Sequence, residues 1–225
     1  MRLSLVNLRH RFSRAARARQ RADQAFDRRW GTDTSGGIAV RELGFPEALV
    51  DECRRYDPSD EAMLRDPVAM LDIDPAQFDF VDYGAGKGRM VMLAAEMGFR
   101  TVTGVELSER LCETARKNFE RFASRNPGLP HARLFEGDAA SFVPDGPAIL
   151  AYLYNPFGAN VMTAVRTRLE EALRAGTRQV VVIYANAEHG SLFAEAPGWR
   201  CAPNPRGVSS FVAEAADFSR HPPAT

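Results

Sequence analysis

The chain is poor in the residues that would staple it or anchor it. Its 225 residues include three cysteines, Cys53, Cys112 and Cys201, too few and too widely spaced for a disulfide framework. They form no CxxC pair, and no zinc set assembles from them with His10, His131, His189 or His221, so no metal site is expected. Such cysteine usage suits a reducing compartment, and the expectation is a cytoplasmic protein. No apolar run approaches the ~18 residues of a membrane span, so no transmembrane segment is expected. The first apolar stretch, Leu3 to Leu8, is broken by Ser4 and Asn7 and runs into arginine, which argues against a secretory leader. Net charge is absent too: 29 Lys and Arg balance 29 Asp and Glu.

What is present is unevenly placed. Arg2, Arg9, Arg11, Arg14, Arg17, Arg19, Arg21, Arg28 and Arg29 crowd the N-terminus against Asp23 and Asp27, which leaves the remainder net acidic. A basic arm on an acidic body can meet a polyanion such as nucleic acid, a membrane surface or an acidic protein. It can equally be a solvated helix packed on its own domain or on a second subunit, which leaves an oligomer open. With 45% hydrophobic and 26% charged residues, the chain can bury the core of one α/β domain with additions. The expected division is a basic helical arm and loop over residues 1–55 and a ligand-binding domain over residues 56–225.

Periodicity supplies the elements. Ser4 to Trp30 has helical composition, and Trp30 to Gly37 breaks it. Pro46 to Arg55 reads as a short helix, and Glu61 to Leu71 as another containing Pro67, with Ser59 or Asp60 as its cap. Strands are expected at Phe78–Asp82, Thr101–Val105, Ala132–Phe135, Ala148–Tyr154 and Gln179–Ala185. Helices are expected between them, at Arg89–Met97, from Ser108 to about Asn126, and at Val161–Ala175. Trp199–Ala202 and Val208–Ala213 form a closing antiparallel pair around Asn204-Pro205-Arg206-Gly207. Alternating strand and helix implies a Rossmann-like, doubly wound α/β sheet, mostly parallel, with N-terminal helices added. Ligands bind such sheets at the carboxyl ends of the strands.

Chemistry-bearing residues cluster at those ends. Val81-Asp82-Tyr83-Gly84-Ala85-Gly86-Lys87-Gly88-Arg89 follows a strand and opens a helix, and its glycines let bare backbone approach a ligand. Glu106 ends the next strand, where a carboxylate can accept both hydroxyl protons of a ribose, and Asp138 follows the third. A dinucleotide site wants a third glycine where Arg89 stands, and a P-loop wants Ser or Thr after Lys87. A tight turn without ligand is the remaining alternative, and acids after three successive strands weigh against it.

Asp82-Tyr83-Gly84-Ala85-Gly86-Lys87-Gly88 resembles the first motif of class I, seven-strand methyltransferases, Asp/Glu-x-Gly-x-Gly-x-Gly. The resemblance covers roughly residues 56–213. It implies S-adenosyl-L-methionine as cofactor. The loop of Gly84, Ala85, Gly86 and Gly88, with Tyr83 beside it, would cradle the methionyl part, and Asp82 would stand near its amino group. Glu106 and Leu107 would lie along the ribose, Asp138 would accept from the adenine amino group, and Ala139 would sit beside the ring.

Tyr154-Asn155-Pro156-Phe157-Gly158 ends the fourth strand and resembles the Asp/Asn-Pro-Pro-Tyr/Phe motif of methyltransferases acting on amino nitrogen, with the second proline missing. An amide oxygen from Asn155 and a carbonyl from Pro156 can accept hydrogen bonds from an attacking N–H group and aim its lone pair. Phe157 and Tyr154 can wall the site. The bland alternative is a proline-turned strand end. Tyr184 and Asp57 are the candidates for a general base. More narrowly, these segments resemble small bacterial methyltransferases similar to non-SET protein lysine methyltransferases, and Tyr56-Asp57-Pro58-Ser59 is similar to the Tyr-x-Pro-Thr/Ser segment that closes over the cofactor in them. The expectation is therefore methyl transfer to an amino nitrogen such as a protein lysine. Small-molecule or nucleic-acid acceptors, and a non-catalytic nucleoside-binding module, stand as alternatives.

Overall fold

The computed structural model describes Arg21 and residues 23–218. Seven strands make one sheet: β1 (Asp79–Tyr83), β2 (Thr101–Glu106), β3 (Ala132–Glu136), β4 (Ala148–Tyr154), β5 (Gln179–Ala185), β6 (Trp199–Ala202) and β7 (Val208–Glu214). Their spatial order is β3-β2-β1-β4-β5-β7-β6. The first five pair in parallel, while β7 is antiparallel to both β5 and β6 and so is the reversed strand. Helices are α1 (residues 23–30), α2 (Ala62–Met70), α3 (Arg89–Glu96), α4 (Glu109–Arg125), α5 (Ala159–Ala175), α6 (Ser191–Ala194) and α7 (Ala215–Phe218).

Burial on both faces explains the apolar strands. In β4, Ala148, Leu150 and Tyr152 enter a core shared with α1, α2, α3 and α4, while Ile149, Ala151 and Leu153 enter one shared with α5, α6 and α7. β5 divides in the same way, with Val181 and Ile183 on one side and Val180, Val182 and Tyr184 on the other. A strand that faces helices on both sides has no solvent face on which to place polar residues.

Element ends differ from the sequence reading in ways local hydrogen bonds explain. β1 begins after Phe78, whose N–H closes a 3-10 turn over Pro75–Gln77, and it runs on to Tyr83, in register with Val105 and Leu153. The segment read as a helix from Pro46 to Arg55 is a 3-10 helix over Glu47–Glu52. It stops there because Cys53 turns extended and bridges Phe157 in antiparallel fashion. Asp60 caps α2 by accepting from Ala62 N–H at 3.0 Å, and the helix runs through Pro67. Ser108 caps α4 through Leu111 N–H. Of the helix read from Ser4 to Trp30, the part through Gln20, with five of the arginines and His10, lies outside the described residues, as do Arg2 and His221.

The described part of the N-terminal segment packs into the same core as the sheet. Phe26 is 1% exposed and belongs to the cluster of Leu64, Val68 and Phe80. Asp27 gathers the following loop, its carboxylate accepting from Thr32 Oγ1, from Thr34 N and Oγ1 and from Ser35 N and Oγ. Burial pushes this carboxyl up, but the bonds from Ser35, Thr34 and Thr32 outweigh it and leave it below the ordinary value. A carboxyl lowered by folding stabilises above its unfolded pKa, so this support is lost as acid protonates Asp27 below about pH 4. Phe26→Ala should cost about 3 kcal/mol of stability in urea unfolding. A loss under about 1 kcal/mol would show that α1 does not belong to the core.

Candidate functional site

The strand order reverses between β1 and β4, and sheets of this kind bind ligands at such a switch point, beyond the carboxyl ends of the strands. A cavity of about 250 Å³ opens there. Asp82, Gly84, Ala85 and Gly86 line it from the loop after β1, Glu106 and Leu107 from the end of β2, and Tyr154, Asn155, Pro156 and Phe157 from the end of β4.

The glycine loop is shaped by what lies over it. Gly84 and Gly86 hold φ of +79° and +56°. A Cβ on Gly84 would press into Pro156, and one on Gly86 would overlap the Tyr56 ring. The loop is therefore bare because the acceptor-side turn and the N-terminal segment both close upon it.

Two carboxyls share one end of the cavity. Glu106 accepts from Gly86 N at 2.8 Å through Oε2 and from Leu107 N and Ser108 N, at 3.0 and 2.8 Å, through Oε1. Burial raises its pKa, and those backbone bonds oppose the rise. Asp82 is 4% exposed, and its carboxyl has no hydrogen-bond partner among the described residues. Burial and then the nearby Glu106 carry it well above the ordinary carboxyl range. Two buried acids facing bare amides form a site that a cationic ligand would relieve. Cys53, on the wall, is held as a thiol with its pKa pushed up to about 11 by burial and Glu106, so it is no nucleophile.

The segment of residues 31–59 roofs this site and is stapled to the glycine loop. Arg89, 4% exposed, donates from Nε to Thr34 Oγ1, from Nη1 to Asp23 Oδ1 and Ser59 O, and from Nη2 to Asp23 O. Lys87 Nζ reaches Asp33 Oδ1 and Ser35 O. Asn118 pairs with the Asp33 backbone through both ends of its amide and also reaches Lys87 O. Tyr56 Oη donates to Thr34 O at 2.6 Å, which fixes its ring above Gly86. These staples went unread in the sequence, because Arg89 and Lys87 acquire partners more than fifty residues away only in the fold. Tyr56 and Ser59 were marked by their tetrapeptide.

Just beyond β4, Asn155 adopts φ of +40°, a left-handed conformation that asparagine tolerates better than most residues. Its Oδ1 accepts from Tyr184 Oη at 3.2 Å, and its Nδ2 donates to Glu188 Oε2 at 3.1 Å. Burial raises the Tyr184 pKa, which favours the protonated form that donates to Asn155. Asp57 pairs with Arg55 at 2.8 Å on the cavity rim.

Four sequence candidates lie apart from the main cavity. The Tyr83 side chain is fully buried on the opposite face of the sheet, edge-on to Phe142, because strand alternation sends it away from the side Asp82 faces. Gly88 backs onto the Phe119 ring of α4, so its bare backbone serves packing. Asp138 and Ala139 line a separate recess of about 20 Å³ that shares Cys53, Leu107 and Phe157 with the main cavity. Asp138 there caps a 3-10 turn through Ala140 N.

Sheet order and strand-end cavity together define a class I, seven-strand methyltransferase fold. Comparison with known proteins agrees. The methyltransferase-domain family model matches residues 80–180 of this chain. The chain is similar to the ribosomal protein L11 methyltransferases of Burkholderia lata, at 29% identity over 148 residues, and of Burkholderia ambifaria, at 28% over 141 residues. Each match takes in 61% of this chain and 46% of the relative, so the chain spans about half the length of the curated relatives it matches. In fold it is similar to TrmN from Thermus thermophilus, with a TM-score of 0.50, 20% identity, and coverage of 69% of this chain and 49% of that one.

The electrostatics have a measurable sign. A carboxyl raised by folding favours the folded state below its unfolded pKa and loses that benefit as pH rises through the folded pKa. Asp82→Asn should therefore raise the melting temperature of the ligand-free protein at pH 8 and leave it nearly unchanged at pH 4. Equal effects at both pH values would mean that Asp82 is not a strained acid.

Proposed function

We propose that this chain transfers a methyl group from S-adenosyl-L-methionine to an amino nitrogen, and that the acceptor is a protein lysine. The observation carrying the proposal is one cavity with two buried acids and bare glycine backbone at one end and Asn155-Pro156-Phe157 at the other. When bound, S-adenosylmethionine supplies a methyl on a sulfonium, which an amine lone pair takes as the carbon–sulfur bond breaks.

The chain's residues divide that work. Asp82, without a partner of its own, meets the cofactor's ammonium above Gly84, Ala85 and Gly86, whose backbone admits the methionyl chain. Glu106 holds the ribose hydroxyls beside Leu107, using lone pairs its backbone bonds leave over. Asp138 accepts from the adenine amino group beside Ala139. Asn155 Oδ1 and the Pro156 carbonyl accept from the acceptor's N–H groups and aim its lone pair, while Phe157 walls the recess shared by cofactor and acceptor. Tyr56 and its neighbours exclude water from above.

A protein acceptor draws support from the curated relatives, whose names state a ribosomal protein as substrate. The division at residue 56 becomes a division of labour: residues 56–218 hold the cofactor, and the described part of residues 1–55 forms much of the roof. Among the described residues no helix is long and apolar enough to cross a membrane. Cys53, Cys112 and Cys201 are free thiols, which favours the cytoplasm.

Calorimetry with S-adenosylhomocysteine, followed by incubation of labelled cofactor with fractionated lysate, tests the proposal. Label is expected in protein. Label in nucleic acid or small metabolites would move the acceptor class, and no binding of S-adenosylhomocysteine would leave only a non-catalytic module. Asn155→Ala should lower turnover about 100-fold, the scale of lost positioning, while cofactor affinity changes less than about threefold. An equal loss in both would place Asn155 in cofactor binding instead.

A further inference from the structure

Asn155 can aim an acceptor only if its amide presents oxygen to the cavity, and an amide flips between two nearly isosteric orientations. The structure contains a device that selects one. Glu188 lies two residues beyond Asn186, which itself takes φ of +49° and lines the cavity. Glu188 N–H folds back on Asn186 O at 2.8 Å, and this tight turn carries the Glu188 side chain over the end of β4. There Oε2 accepts from Asn155 Nδ2. An ionised carboxylate can only accept, so a flipped amide would set oxygen against oxygen. The Asn155 bond holds Glu188 below the usual carboxylate range, consistent with ionisation. From the other side, Tyr184 Oη takes the His189 backbone N–H and so turns its own proton to Asn155 Oδ1.

The roof takes part as well. Arg54, on the cavity wall next to Cys53, places Nη2 3.7 Å from the same Glu188 oxygen. Cys53 bridges Phe157, and Gly158 N–H donates to Glu52 O, so the segment carrying Arg54 is seated directly on the Asn-Pro-Phe turn.

Resting on the methyl-transfer reading, we infer that Glu188 is a positioning residue: it locks the Asn155 amide with its oxygen toward an amino acceptor, and Arg54 couples that lock to closure of the roof. Glu188 does not touch the reacting atoms. Its role passes through Asn155 and rests on a carboxylate that accepts hydrogen bonds and has none to donate.

The test uses the full chain and calorimetry with three probes: S-adenosylhomocysteine, and two analogues in which nitrogen replaces the sulfur and carries either a 4-aminobutyl or a plain butyl tail. The tail enters the acceptor passage beside Asn155. The natural chain should prefer the aminobutyl over the butyl analogue by about fivefold, the scale of one net hydrogen bond. Glu188→Ala should abolish that preference, and Glu188→Gln, whose amide can also donate to the oxygen of a flipped Asn155, should lose most of it. Both variants should bind S-adenosylhomocysteine within twofold of the natural chain, which also reports an intact fold. Preference kept in Glu188→Ala, kept in full in Glu188→Gln, or absent from the natural chain while S-adenosylhomocysteine binds, would overturn the inference. Failure of the natural chain to bind S-adenosylhomocysteine would instead overturn the methyl-transfer reading, and the inference with it.

Discussion

Two carboxyls buried within reach of each other, at the ends of neighbouring parallel strands, set the terms for this molecule. Asp82 and Glu106 both titrate above their ordinary range because burial disfavours their charge, and Glu106 compounds the effect on Asp82. Glu106 is partly compensated by three backbone amides, and Asp82 has no such partner. A fold keeps such a pair where a ligand completes it, and perturbed acids in a strand-end cleft are the physical mark of a functional site. A ligand that brings an ammonium to Asp82 and hydroxyl donors to Glu106 matches that demand.

Holding the acids dry requires a roof, and the roof is held by cations from the glycine loop itself. Lys87 and Arg89 flank Gly88, and both bind the N-terminal segment. Buried ion pairs contribute little net stability when both partners are present, yet breaking one leaves an uncompensated charge. Their use here is geometric. They fix where Tyr56 sits above Gly86, and so fix the height of the cavity. The N-terminal segment is thus part of the site's architecture.

On the acceptor side the chain accepts local strain. Asn155 and Asn186 both take left-handed backbone at the ends of adjacent strands, and such positions persist where surrounding contacts over-determine them. Tyr184, Glu188 and Arg54 supply those contacts from β5, from the loop beyond it and from the roof. Positioning of an amine is the main service a protein can offer to an in-line displacement, and these residues converge on one amide.

Much of this was legible from residue order. Apolar runs and glycine punctuation located all seven strands, and the spacing from the glycine loop to Glu106 marked a ligand pocket, because both signals are patterns written along the chain. Strand ends were less legible: β1 shifts by one residue because a 3-10 turn claims Phe78, and Cys53 ends its helix early because it pairs with Phe157. Residue types at strand ends determined the chemistry on offer. The packing around each decided which of them reach it: Tyr83 and Gly88 serve the core, while Arg54 lines the cavity and meets Glu188. Contacts such as Arg89 with Asp23, or Asn118 with Asp33, join positions that no local pattern relates. Sequence alone therefore determined the sheet and its acidic, glycine-lined strand ends, through short-range periodicity. Only the tertiary structure decided the roof and the lock on Asn155, because both are made by chain segments that meet after the sheet has closed.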